Sequence, residues 1–280
     1  PRYVRAVHAD CKGRLLLGLK SKGLVIYDPS TGEYTPSSAI RALKNIPSTA
    51  KIISICSFKS GEELLLAAEM GDLYHVVLQN GVPVSSRRIR AGANSFVGYN
   101  YVNTIFQDRQ KRIWVAHGSE ITLLDEDLNV LTDKILGRKG FQAFVWNLAQ
   151  SQEGDIFAGS STEGILRIRS DGNDMQIRTY DTQNGKLNND IIQSLFVDRS
   201  NNIWVGTQGG GLSRYDSASD TFIPVNDRYN IPYNDIFNIF QDRFGNIWMC
   251  SNNDIICLGE ADGAPTMLYK SSGSILGNSF

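Results

Sequence analysis

Short apolar runs recur along the chain at Leu15-Leu16-Leu17-Gly18, Leu64-Leu65-Leu66-Ala67, Ile113-Trp114-Val115-Ala116, Ile156-Phe157-Ala158-Gly159, Ile203-Trp204-Val205-Gly206 and Ile247-Trp248-Met249-Cys250. Their starts lie 43 to 49 residues apart, the period at which four-stranded propeller blades repeat. The copy at 190–216, DIIQSLFVDRSNNIWVGTQGGGLSRYD, is the clearest. Ile191 to Asp198 is rich in β-favouring residues and stops at a polar turn. Ile203 to Thr207 follows as a second strand, Gln208 to Gly211 as a glycine turn, Leu212 to Asp216 as a third strand and Thr221 to Val225 as a fourth. Each copy therefore predicts an antiparallel meander. The predicted fold is all-β, a β-propeller with six blades over about 1–40, 50–90, 100–135, 141–182, 188–226 and 233–270. Residues 271–280 are a tail or the start of a seventh blade.

The last position of each apolar run is small in five of the six copies. This predicts a second strand pressed against the next sheet, with the preceding Leu, Phe or Trp filling the space between blades. Inner strands covered on both faces need not alternate, and Ile52-Ile53-Ser54-Ile55 does not. Asp10, Asp108, Asp198 and Asp242 stand five residues before their runs, where the other two copies have Lys59 and Ser151. Such an Asp is expected to accept backbone N–H groups two or three residues on, with Gly13, Gly154 and Gly245 taking positive φ at the turn. One carboxylate per turn is too few for a hard cation, so no metal is expected. Third strands such as Gly211 to Asp216 turn more polar, and the fourth strands, Glu33 to Thr35 and Gln176 to Tyr180 among them, are charged in the manner of sheet edges.

With 280 residues, 41% of them hydrophobic, the chain can bury the core of one all-β domain. Lys and Arg number 28 against 29 Asp and Glu, a balance that supplies no overall field for nucleic acid or anionic membrane. No apolar run reaches the roughly 20 residues of a membrane span. Cys11, Cys56, Cys250 and Cys257 occupy unrelated repeat positions without CxxC spacing, which indicates neither zinc nor a disulfide framework.

The string D-x-x-G/N-N-I-W-V-G-T-x-G-G-G-L-x-R-Y-D is complete at Asp198 to Asp216 and partial at Asp242 to Trp248 and Asp108 to Trp114. It resembles the two-component regulator propeller repeat and lacks the Trp-Asp pair of the WD repeat. The resemblance implies part of the extracytoplasmic sensor of a bacterial hybrid two-component system. In that family two tandem propellers commonly precede an immunoglobulin-like module, a membrane helix, a histidine kinase and a regulator. It further implies a periplasmic, non-catalytic module excised from a longer chain, working as a homodimer, meeting the membrane only through a missing segment, and responding to an oligosaccharide. A propeller glycosidase or polysaccharide lyase and a protein-interaction scaffold are the alternatives.

His8, His75 and His117 lie in different repeats, and no nucleophile, base and orienting acid can be assembled from spacing, so neither catalytic residues nor a cofactor is expected. In propellers the loops entering the first strands, with those joining second to third strands, ring one mouth of the axial channel. Here they carry Tyr99, Tyr101 and Asn103, then Trp146 and Asn147, then Asp190, then Tyr229, Tyr233 and Asn234. Aromatic faces with amide and carboxylate partners suit the apolar faces and hydroxyl rims of sugars, and these nine residues are the candidate ligand site. The competing reading is that the rings plug the channel or pack between blades. Arg87, Arg88 and Arg90 form a basic cluster before the third blade, read as a solvated loop.

Overall fold

The computed structural model describes residues 3–89, 101–133, 135–136, 140–171, 174–252, 254–259 and 265–270. It contains six four-stranded antiparallel sheets, each a propeller blade with its strands in chain order. The chain divides into two compact units, Pro1–Phe141 and Gln142–Phe280.

The first unit holds three blades. These are β1 (Val4–Ala9), β2 (Leu15–Leu19), β3 (Gly23–Asp28) and β4 (Glu33–Pro36); β5 (Ile52–Phe58), β6 (Glu63–Ala68), β7 (Leu73–Gln79) and β8 (Val82–Ile89); and β9 (Val102–Gln107), β10 (Ile113–His117), β11 (Glu120–Leu124) and β12 (Val130–Thr132). Leu16, Leu24 and Ile26 of the first blade pack with Ile52, Leu64, Leu66 and Tyr74 of the second, and Cys56, Leu65 and Leu73 pack with Ile105, Ile113 and Val115 of the third.

The second unit repeats the plan with β13 (Val145–Gln150), β14 (Ile156–Ser160), β15 (Ile165–Asp171) and β16 (Asp174–Tyr180); β17 (Ile192–Val197), β18 (Ile203–Thr207), β19 (Leu212–Asp216) and β20 (Thr221–Pro224); and β21 (Asn238–Gln241), β22 (Ile247–Cys250), β23 (Asp254–Leu258) and β24 (Pro265–Lys270). Phe157, Ile165 and Tyr180 meet Ile192, Leu195 and Val205, while Trp204 and Leu212 meet Ile236, Ile239 and Met249. Each such side chain contributes about 1.5–3 kcal/mol when fully buried, so these inter-blade layers are the core.

The small residues of the second strands stand where the repeat predicts. A Cβ on Gly18 would lie 2.7 Å from Ile52 O, on Gly159 2.5 Å from Ile192 Cγ2, and on Gly206 2.5 Å from Ile236 O. In each case the atom met belongs to the next blade. The Trp that precedes Gly206 is covered by the sixth blade, whereas Trp248, at the same repeat position in the sixth, is only partly covered and stacks on Phe240 at 6.1 Å.

The first-to-second-strand turns follow one plan with one correction. Asp10 Oδ1 accepts the N–H groups of Lys12 and Arg14, Asp198 Oδ1 those of Ser200 and Asn202, and Asp242 Oδ1 those of Phe244 and Asn246. The bonds thus go two and four residues on, not two or three. The third residue takes positive φ, 77° at Gly13, 64° at Asn201 and 91° at Gly245. That rotation turns its N–H to the Asp carbonyl instead. Neighbouring turns in the second unit are laced together: Asn201 donates to Glu153 at 2.8 Å and to Gln152 N–H offers its own Oδ1 at 2.7 Å, and Arg199 N–H donates to Gln241 at 3.0 Å.

Arg87 and Arg88 lie on β8 rather than in a loop, and both are paired: Arg88 with Asp72, and Arg87 Nε with His75 Nδ1 at 3.0 Å. Arg90 and the tail 271–280 fall outside the described residues.

Candidate ligand site

The site is built where the first strands of the second unit begin. A β-bulge interrupts the pairing between Val145 and Asn147 in β13 and between Ile192 and Ser194 in β17, leaving Trp146 and Gln193 as the extra residues. The first unit has the same irregularity, between Val4 and Ala6, Ile52 and Ser54, and opposite Ala116 and His117, where Arg5, Ile53 and Asn103 are the residues left over. A bulge re-aims one side chain out of the ladder. In this chain the repeat does so at one position in five blades, and the residue there is a different one in each.

A run of hydrogen bonds crosses the three blades of the second unit from the bulges. Asn147 Nδ2 donates to Gln193 O at 3.0 Å, and Gln193 Nε2 donates to Gln208 Oε1 at 3.0 Å. Gln208 pairs as an isolated bridge with Asp235, whose Oδ1 accepts Gly209 N–H at 2.9 Å and whose Oδ2 accepts Asn252 Nδ2 at 2.7 Å. Gln208, Gly209 and Asn252 are exposed. Exposed aromatic rings stand on the flanking blades, Phe144 and Trp146 before and within β13 and Phe237 before β21. The track therefore presents amide donors and acceptors between apolar faces, with one carboxylate whose two oxygens are already engaged.

The triple glycine holds the track's centre. Gly209 and Gly211 have φ of 90° and 74°. A Cβ on Gly210 would lie 2.6 Å from Asn189 Cβ, and one on Gly211 would lie 2.3 Å from Asn226 Nδ2. The turn is thus wedged between two asparagines of the entering loops. Asn226 begins the short helix α1 (Asn226–Tyr229), which the sequence pattern did not suggest; its Oδ1 accepts Leu212 N–H at 2.7 Å and its Nδ2 donates to Tyr233 O at 2.9 Å. Asn234 offers its backbone carbonyl to both Gly209 and Gly211.

The nine sequence-derived residues are distributed unevenly. Trp146, Asn147 and the exposed Asn234 belong to the track or its rim. Asp190 is committed to Thr182, accepting its N–H at 2.8 Å and its hydroxyl at 2.7 Å. Tyr229 and Tyr233 pack, partly buried, on the sixth-blade core, Tyr229 with its ring 6.1 Å from Trp204. In the first unit Tyr101 is exposed and Asn103 Nδ2 donates to Gly118 O at 3.1 Å. Tyr99 lies outside the described residues. Gln193, Gln208, Asp235 and Asn252 are not among the nine; Gln193 occupies the variable second position of its strand, a usable signal, whereas the other three lie in loops and carry none.

The histidines sit on separate strands, His8 on β1, His75 on β7 and His117 on β10. Burial holds the His117 imidazole down to about 4, and burial also lowers His75 despite Glu63 at 2.5 Å. Among the described residues no three His, Cys, Asp or Glu side chains are grouped to hold a metal ion. No described helix is long and apolar enough to cross a membrane.

Three stretches, 97–119, 185–209 and 230–253, match the two component regulator propeller family. In those three stretches the chain is similar to the two-component regulator propeller repeat. The chain is similar in fold to the extracellular domain of the hybrid two component system BT4673 from B. thetaiotaomicron, with 14% identity, a TM-score of 0.65 and cover of 97% of this chain and 44% of that one. It is also similar to PorZ, a surface component of the type-IX secretion system of Porphyromonas gingivalis, with 14% identity, a TM-score of 0.69 and cover of 96% and 41%. The chain thus spans less than half the length of either. The WD40 propeller domain of Doa1 matches at 13% identity and a TM-score of 0.67, over 95% of this chain and 82% of that one. No curated protein sequence matches the chain.

Proposed function

We propose that the chain is a non-catalytic ligand-sensing module in the periplasmic region of a hybrid two-component sensor, and that it takes an oligosaccharide on the amide track of the second unit. The observation that carries the reading is the run Asn147–Gln193–Gln208–Asp235–Asn252 with Trp146 and Phe237 at its two ends. Amides serve hydroxyl groups as donor and acceptor alike, and exposed rings serve the C–H faces of a sugar. The repeats shared with regulator propellers, and the extracellular placement of a structural neighbour, support the location.

In the full sensor, a second propeller, an immunoglobulin-like module and a histidine kinase accompany this one, and the ligand acts by favouring one arrangement of a homodimer. Such coupling requires different affinities for the two arrangements. Calorimetric titration of neutral oligosaccharides into the chain tests the reading. Saturable binding that Trp146→Ala weakens supports it. Absence of binding across a broad panel, or turnover of a glycosidic bond, overturns it.

A further inference from the structure

A buried imidazole with its tautomer fixed by its neighbours lies on the face of the second blade that packs on the third. His75 of β7 stands opposite Leu65 of β6 on one side and opposite Arg87 of β8 on the other. Phe58, Leu65 and Leu73 of that blade pack with Ile105, Ile113 and Leu124 of the third. The imidazole is 9% exposed, with its ring 5.7 Å from that of Phe58. Its two nitrogens meet groups of opposite kind. Nε2 lies 2.5 Å from Glu63 Oε2, and Nδ1 lies 3.0 Å from Arg87 Nε. An arginine Nε–H only donates, so Nδ1 offers its lone pair and the ring proton sits on Nε2, where the Glu63 carboxylate accepts it.

The charged groups around the imidazole come from two blades. Glu63 Oε1 pairs with Lys59 Nζ at 3.2 Å, and Lys59 Nζ donates to Asp127 Oδ1 at 3.1 Å, in the turn between β11 and β12 of the third blade. Glu63, Arg87 and Lys59 act on His75 directly. From the third blade, Asp125 and Asp127 act on Lys59, and Glu126 pairs with Lys111 at 3.8 Å. A proton taken from solvent changes this arrangement at one contact. Imidazolium has no lone pair, so Nδ1 becomes an N–H facing the Arg87 N–H, with like charges about 3 Å apart, while Nε2–H still donates to Glu63. Arg87 is exposed and the Glu63 side chain only 18% so, which makes Arg87 the group that moves.

We propose that His75 is a proton-controlled latch for Arg87: the neutral ring holds the guanidinium against β7, and the protonated ring releases it to solvent while keeping Glu63. The direction follows from the surroundings. Burial lowers His75 below 6.5 and outweighs the opposing pull of Glu63, and the Arg87 and Lys59 charges lower it further. Because the folded value is the lower one, the latch contributes its full stability above pH 6.5 and loses it as the pH falls through the folded value. The device lies in the first unit and is independent of the amide track.

Nuclear magnetic resonance of the whole nitrogen-labelled chain tests the latch, with the His75 ring nitrogens and the Arg87 Nε–H followed as the pH is lowered. At neutral pH the ring should carry its proton on Nε2. Exchange of the Arg87 Nε–H with water, corrected for its intrinsic pH dependence, should quicken roughly fivefold or more in step with His75 protonation. R87A should raise the His75 midpoint and E63Q lower it, by about half a pH unit or more each. H75N sets an amide oxygen near the place of Nδ1 and should abolish the step, whereas H117Q should leave it intact. Should H75N fail to fold, R87A and E63Q decide. A proton on Nδ1 at neutral pH, an Arg87 resonance indifferent to His75 protonation, or a midpoint that R87A leaves unmoved overturns the proposal.

Discussion

Trp204 donates its indole N–H to Asp198 Oδ2 at 2.9 Å across six residues. The same bond joins Trp114 to Asp108 at 2.8 Å and Trp248 to Asp242 at 2.9 Å. One carboxylate therefore closes a turn with Oδ1 and, with Oδ2, fixes the ring on the second strand. For Trp204 that ring reaches into the sixth-blade core.

Asp198→Ala should strip a buried donor of its partner and open the turn, at a cost of about 2–3 kcal/mol read from the urea midpoint. Trp204→Phe should cost more than Trp248→Phe, because Trp204 is 4% exposed and Trp248 only partly covered. Equal losses from the two tryptophans would contradict a covered and an open face.

Gly206→Ala forces a methyl to within 2.5 Å of Ile236 O, so the fifth and sixth blades must separate. The expected loss is about 1–3 kcal/mol. Gly259→Ala is the control, since its nearest atom is 4.0 Å away; a change within about 0.5 kcal/mol is expected there. Matching losses would show that propensity rather than contact sets the cost.

His117 gives the first unit a pH dependence. It is 2% exposed, its Nε2 lies 2.8 Å from Thr122 Oγ1, and burial lowers it from 6.5 to about 4. Because the folded value is the lower one, the unfolded chain binds more protons between those two values. The stability from neutral His117 is therefore complete above pH 6.5 and lost as the pH falls towards 4, by up to about 3 kcal/mol. Denaturation midpoints of the parent and of His117→Gln across this range should diverge; parallel curves would exclude His117 as the titrating group.

The thiols should separate by reactivity. Cys11 is exposed, and burial pushes the Cys56 thiol up to about 11, while burial also raises Cys250 and Cys257. A thiol reagent at neutral pH should modify Cys11 first and Cys56 only on unfolding, as peptide mapping would show.

For the amide track, Trp146→Ala and Asn252→Ala should each weaken oligosaccharide binding, by about tenfold for the ring, with little change in unfolding temperature because both side chains are exposed. Unaltered affinity in both would move the ligand elsewhere.

The blades were legible because their signal repeats: the runs ending at Gly18, Gly159 and Gly206 carry one steric requirement at a fixed period. Strand ends at Ile203 and Thr207 agree with the expected limits for the same reason. The indole-to-Asp bonds were hidden because the Trp already had a sufficient explanation in packing. The site was half legible. Trp146 and Asn147 stand out as an aromatic and an amide, but Gln193 and Asn252 have ordinary composition, and only the bulge and the turn contact with Asp235 give them a role. Tyr233 attracts attention by chemistry alone, and where it packs depends on α1, a four-residue helix too short to leave a periodic trace.

The contact of Gly18, Gly159 and Gly206 with the following blade has a consequence for how such chains diversify. Blade spacing there is set on one side by a Cβ-free surface, like a machined gauge block, which meets an isoleucine of the next blade through its carbonyl at Gly18 and Gly206 and through its side chain at Gly159. The bulge residues Arg5, Ile53, Asn103, Trp146 and Gln193 stand just upstream of that gauge. Ile53 also packs on the inter-blade core, but the exposed Trp146 can be exchanged without resetting the distance between sheets, so the surface shown at that bulge can change while the assembly tolerances stay constant.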